Sequence, residues 1–294
     1  METFSSFNAY IQKAVVENWN QDALTDYQGI TLQFHDVARK IEKIHILFEN
    51  SGIQKGDKIA ICGRNSAHWA VAFLATLTYG AVAVPILHEF NGEQIQNIVN
   101  HSEAKLLFIG DYAVKTIKPE MMPDLEAIIN LPDFSLLISR SEKVTYAREH
   151  LNMLFGSKFP RAFRAEHIQY HLDEADELAL INYTSGTTGF SKGVMLPYRA
   201  LWGNVEFIIS RLGKKVKPGD SMLSILPMAH IVIGVLPLFV VAGFIESFFT
   251  RHVEWPDAVR LGIILTSAAV VVGYYVVLPR VVAKRRAGQM PATK

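Results

Sequence analysis

Tyr183-Thr184-Ser185-Gly186-Thr187-Thr188-Gly189-Phe190-Ser191-Lys192-Gly193-Val194-Met195 is a run of small, hydroxyl-bearing and glycine residues between two regular segments. Before it, Leu178-Ala179-Leu180-Ile181-Asn182 reads as a strand, and after it residues 199–210 continue as a helix. Gly186 and Gly189 permit positive φ and close backbone approach, so successive N–H groups and hydroxyls can converge on phosphate oxygens. Lys192 adds a compact positive charge. A plain Gly/Ser/Thr surface turn is the alternative reading. Such a turn calls for no preceding strand, no lysine at this spacing and no apolar exit, so a nucleotide phosphate is the better fit. The segment is not a Walker A loop, because Ser191 precedes Lys192 instead of following it.

Working outward, the N-terminal part alternates two periodicities. Residues 34–48 place Val37, Ile41, Ile44, Ile46, Leu47 and Phe48 near a 3.6-residue repeat, which predicts an amphipathic helix ended by Gly52. Gly56-Asp57 turns into the apolar strand Ile59-Ala60-Ile61-Cys62. Asn65-Ser66 offers a cap to a helix over 69–79 that Gly80 ends, and Ala81-Val82-Ala83-Val84-Pro85 follows as a buried strand. A helix over 94–102 and a strand over 105–109 complete the series. This alternation predicts an α/β fold of βαβ units around a mostly parallel sheet. Residues 111–176, punctuated by Pro119, Pro123, Pro132 and Pro160, read as connecting structure with one or two short strands. His167 and His171 stand four apart but lack the glutamate of zinc helices, which favours surface histidines over a metal site.

The formal net charge of +1 argues against a nucleic-acid binder. It hides an asymmetry: residues 1–230 carry 22 Lys+Arg against 25 Asp+Glu, and residues 231–294 carry 7 against 3. The single cysteine, Cys62, excludes an intrachain disulfide and reads as a packed core thiol. No basic n-region opens the chain, so residues 1–230 are expected in the cytoplasm. Residues 231–249 hold one charge, Glu246, and residues 261–278 hold none. As helices each would span roughly 27–28 Å, about a bilayer's hydrocarbon core. Two buried helices of a soluble core are the competing reading. Thirteen Leu, Ile, Phe or Val in the first run, ten in the second and Lys284-Arg285-Arg286 beyond favour a transmembrane hairpin in contact with membrane lipid.

The 183–195 segment resembles the phosphate loop of adenylate-forming (AMP-binding) enzymes. The resemblance extends over residues 1–230: Leu24-Thr25 with Ile30-Thr31, residues 52–60, Asn65-Ser66 through Trp69, residues 80–85, and Leu226-Pro227-Met228-Ala229-His230 as the following substrate-site motif. Within the superfamily it is most similar to bacterial long-chain fatty-acid–CoA ligases. The resemblance implies that a fatty-acid carboxylate attacks the α-phosphate of ATP with Mg2+, and that the thiol of coenzyme A then displaces AMP from the acyl-adenylate. Thr184, Ser185, Gly186, Thr187, Thr188, Gly189 and Lys192 would hold the β- and γ-phosphates. Lys192 and His230 would serve catalysis, His230 near the carboxylate and nucleotide.

After His230 the resemblance is expected to stop. The family's Tyr-Gly-x-Thr-Glu segment, which supplies the magnesium-site glutamate, does not occur in the chain. Nor does anything resemble its ribose aspartate, its arginine or its small C-terminal domain with a catalytic lysine. The expectation is an incomplete adenylate-forming large domain (1–230), inactive alone, followed by an α-helical transmembrane hairpin with a basic tail (231–294). Pro237 through Glu246, then Thr250-Arg251-His252, resembles the C-terminal end of stage II sporulation protein M-like integral membrane proteins. That implies the inner membrane, with the N-terminal domain cytoplasmic. Three readings compete: a membrane-tethered ligase fragment, a membrane protein carrying that fragment, and a chimeric gene product joined at 230/231.

Overall fold

The computed structural model describes residues 6–184, 192–212, 220, 221, 224 and 228–230, with the backbone alone at residues 111, 112, 184, 208–212 and 230. All of them lie within the first of two compact units, Met1–Val232 and Ile233–Lys294. The elements run in the order α1 (Phe7–Glu17), β1 (Asp22–Thr25), β2 (Thr31–Gln33), α2 (Phe34–Ser51), β3 (Lys58–Cys62), α3 (Ala67–Tyr79), β4 (Val82–Ile86), α4 (Gly92–Ser102) and β5 (Leu106–Ile109). Then come β6 (Ala127–Asn130), β7 (Leu136–Ser139), α5 (Glu142–Glu149), α6 (Leu151–Lys158), β8 (Leu178–Thr184), β9 (Lys192–Pro197) and α7 (Tyr198–Leu212).

The seven-stranded sheet has the order β7-β6-β5-β3-β4-β8-β9. β3 is parallel to β4 and β5, β5 to β6, and β4 to β8, while β7 and β9 run antiparallel at the ends. Side-chain alternation explains why the centre reads as an unbroken apolar run. Ile59 and Ile61 enter the core shared with α2 and α3, packing with Ile41, Phe48 and Trp69. Ala60 and Cys62 face the other way, into the core beneath α4 with Ile95, Ile98 and Val99. A sheet covered on both faces needs apolar residues at every position.

The predicted α/β alternation is observed, with α2 stopped at Gly52 and α3 at Gly80, both at positive φ. At Gly80 the requirement is doubled, since a Cβ there would lie 2.8 Å from His171 Cδ2. Residues 111–176 depart from expectation. They hold the two short strands β6 and β7 but also two helices, α5 and α6. Each is only eight residues long, so neither offers the long periodic stretch that identifies a helix from sequence. Helix α1 is a further element beyond those that the sequence predicts. His167 lies in a 3-10 turn, Ala165–His167, so the two histidines do not share a helix. His171 Nε2 instead lies 2.7 Å from Glu177 Oε1, and its Nδ1 3.0 Å from Lys55 Nζ.

Among the described residues no helix is long and apolar enough to cross a membrane. The apolar runs 231–249 and 261–278 lie outside the described residues.

Candidate functional site

β8 and β9 form an antiparallel hairpin in which Tyr183 faces Gly193 and Thr184 faces Lys192. Residues 185–191, which join the two strands in sequence, lie outside the described residues, and with them Ser185, Gly186, Thr187, Thr188 and Gly189. Because β8 is parallel to β4, the chain leaves Thr184 at the same edge of the sheet as the carboxyl ends of β3, β4 and β5. In open α/β sheets that edge is where ligands bind, because the loops leaving it are free to carry side chains outward. Lys192 is exposed there and has no carboxylate partner among the described residues. An ammonium so placed suits an anionic ligand group.

Two further contacts fix this hairpin. The Tyr183 side chain is buried, and its hydroxyl lies 2.7 Å from His101 Nδ1 on the last turn of α4. Burial raises the Tyr183 phenol above its ordinary value, so it stays protonated and hydrogen-bonding. Gly193 lies under that ring. A Cβ there would meet Ile181 Cγ2 at 2.9 Å and Tyr183 Cζ at 3.1 Å. The glycine after Lys192 is therefore required by packing, a reason that the sequence reading missed along with strand β9.

The segment carrying His230 reaches the same edge. Asn65, three residues past the end of β3, accepts a hydrogen bond from Met228 N at 2.7 Å, and its Nδ2 lies 3.3 Å from Ser224 Oγ. The 3-10 turn Met228–His230 packs on β4, and Ala229 is buried in the core. The helix cap predicted at Asn65-Ser66 belongs to Ser66 alone, whose hydroxyl accepts from Trp69 N at 3.1 Å. Asn65 instead holds the 228–230 turn. The hairpin and the turn thus flank β4 at one end of the sheet. A recess of about 510 Å³ beside β8 is lined by His101, Tyr183 and Gly193 and also by Lys58 and Val82, which begin their strands, so it runs along the hairpin toward the amino edge of the sheet.

Of the residues expected to hold phosphate, the described ones at the carboxyl edge are Lys192 and the backbone of Thr184. A protein-built metal cage is another matter: among the described residues no group of three or more His, Cys, Asp or Glu could hold an ion.

Comparison with known proteins gives a consistent result. The family described as AMP-binding enzyme matches residues 11–273. The chain is 26% identical over 291 residues to a long-chain-fatty-acid–CoA ligase, ACSBG2, of Rattus norvegicus, covering 95% of this chain and 40% of that protein. The N-terminal domain of FACL13 from Mycobacterium tuberculosis, solved with an inhibitor, superposes with a TM-score of 0.60 at 19% identity, covering 78% of this chain and 52% of that one. The fatty acyl-adenylate ligase from L. pneumophila, solved with acyl adenylate and pyrophosphate, superposes at 0.53 and 19% identity, covering 72% and 33%. These structures share the fold. The family match continues past His230 to residue 273, which corrects the expectation that the resemblance stops at 230.

Proposed function

The chain belongs to the AMP-binding enzyme family, and from that membership we propose that it carries the phosphate-binding part of an acyl-adenylate-forming acid–CoA ligase site. Its acid substrate would be a long-chain fatty acid, as the name of its rat relative suggests. The chain spans 40% of that relative's length, so the rest of such a site would come from segments that this chain does not align with. The observation that carries the reading is the register of Lys192 opposite Thr184 at the carboxyl edge of the sheet, with the Met228–His230 turn on the neighbouring strand.

In the proposed reaction a carboxylate oxygen attacks the α-phosphorus of ATP. The bond to the bridging oxygen breaks and pyrophosphate leaves with its electron pair. The coenzyme A sulfur then forms the thioester, losing its proton, and AMP departs. Thr184 through Gly189 and Lys192 would hold the β- and γ-phosphates, stabilising charge on the leaving group as it develops. His230 would stand beside the carboxylate. Bound magnesium would neutralise phosphate charge.

The test is Mg-ATP binding by calorimetry on the full chain. Lys192→Ala should weaken binding roughly 10- to 100-fold, the contribution of a charge-assisted hydrogen bond. ATP–pyrophosphate exchange with palmitate reads the first half-reaction. Equal affinity of the variant and the parent chain would overturn the assignment of Lys192.

A second reading concerns residues 231–278. Their two apolar runs have the composition of membrane spans, and on that ground we propose an inner-membrane anchor with residues 1–230 on the cytoplasmic side. The family match through residue 273 supports instead apolar helices belonging to the enzyme domain. Retention of the intact chain in carbonate-washed membranes supports the anchor, and its release supports the enzyme-domain reading.

A further inference from the structure

We propose that Arg64 is a contact for the α-phosphate of the bound nucleotide, at the end of the phosphate chain away from Lys192. The inference rests on the nucleotide reading above and adds a residue to it.

Strand order carries the argument. β3, β4, β8 and β9 are successive neighbours in the sheet. β3 and β4 pair in parallel through Cys62 and Ile86, and β4 runs parallel to β8, so the residues just past these three strands leave one edge. Arg64 is the second residue past β3, and Lys192 opens β9 opposite Thr184. The Met228–His230 turn packs on β4, which lies between them. Neighbouring strands are ~4.8 Å apart, which separates β3 from β9 by about 14 Å. Two long side chains at that separation can hold opposite ends of one phosphate chain. With the β- and γ-phosphates at Lys192, the α-phosphate would lie over β4, beside the turn and next to the strand that carries Arg64.

The Arg64 guanidinium is free for this role. Arg64 is exposed, and among the described residues it makes no hydrogen bond and no ion pair. Two carboxylates of the adjoining loops have other partners. Asp26 accepts from Ala67 N at 2.7 Å, and Glu89, just past β4, lies 3.4 Å from His88 Nε2. The backbone at Arg64, by contrast, is held on both sides. A Cβ on Gly63 would lie 2.6 Å from Leu131 Cδ1, and Gly110 N donates to Cys62 O at 2.9 Å. Asn65 accepts from Met228 N, and Ser66 caps α3. A backbone fixed before the ligand arrives spares the cost of ordering a loop around it. An arginine fork also offers two parallel N–H donors to phosphate oxygens, which a lysine does not.

Calorimetry on the full chain with AMP, Mg-ATP and pyrophosphate separates the two ends of the phosphate chain. Arg64→Gln should weaken AMP and Mg-ATP binding roughly 10- to 100-fold and leave pyrophosphate binding unchanged. Lys192→Ala should give the crossed pattern, weakening Mg-ATP and pyrophosphate but not AMP. Arg64→Lys keeps the charge, loses the fork and should recover part of the affinity. Thermal unfolding of each variant confirms that it is folded. An Arg64→Gln chain that binds AMP or Mg-ATP as the parent does overturns the proposal and makes Arg64 an ordinary solvated charge. Equal weakening of pyrophosphate also overturns it, because Arg64 would then serve the same phosphates as Lys192. A parent chain that binds neither AMP nor Mg-ATP overturns the nucleotide reading itself, and this proposal with it.

Discussion

At the scale of single residues, Gly193 is where sequence and packing meet. The loop chemistry of residues 183–195 points to Lys192, but only the coordinates show why a glycine follows it: the Tyr183 ring covers the position. Gly193→Ala should displace that ring, destabilise the chain by about 1–3 kcal/mol as overpacking does, and weaken Mg-ATP binding. Thermal denaturation and calorimetry read the two effects. His45 supplies a second expectation. It is buried beside Thr78, its Nε2 lying 3.0 Å from Ala75 O, and burial holds its pKa at about 3 against the hydrogen bond that raises it. The unfolded chain, near 6.5, takes up a proton that the folded chain refuses. Stability therefore falls as pH drops below 6.5, by roughly 2 kcal/mol at pH 5. Urea midpoints at pH 7 and pH 5 check this, and His45→Gln should flatten the slope.

Single elements show how far local pattern reaches. α2 is legible from its apolar stripe and α3 from its cap signal, each closed by a glycine stop, features that lie within a short stretch of chain. α1 is not, because its N-terminus is completed from far along the chain. The Asp173 carboxylate accepts from Ser6 Oγ at 2.5 Å, Phe7 N at 3.0 Å and Asn8 N at 2.8 Å. A buried carboxylate at a helix N-terminus satisfies free N–H groups and meets the positive end of the helix dipole. Asp173→Ala leaves those donors buried without a partner and should cost about 2–4 kcal/mol, since each such orphan costs 1–3. Hydrogen exchange should show the loss first in residues 7–17. If α1 amides keep their protection, Asp173 is not what holds the helix. α5 and α6 escaped the sequence reading for a different reason. They are short, and α6 has no fully buried residue, so no buried stripe marks it.

For the molecule as a whole, the central sheet sets the stability. Cys62 lies on β3, between β4 and β5, is inaccessible to solvent, and has its thiol pushed up to about 12 by burial. In the native chain it should resist an aromatic disulfide reagent, and its labelling rate in urea should follow global unfolding. Labelling at native rates independent of denaturant would show that the sheet opens locally. The sequence by itself determined the βαβ alternation and the glycine helix stops. Each follows from backbone preference and apolar periodicity over a few neighbouring residues. Tertiary structure alone decided that β5 pairs with β3 on the far side from β4, that β8 lies beside β4, and that Asn65 carries the Met228–His230 turn. Those arrangements join residues up to 163 positions apart, and local periodicity carries no record of which strand becomes whose neighbour.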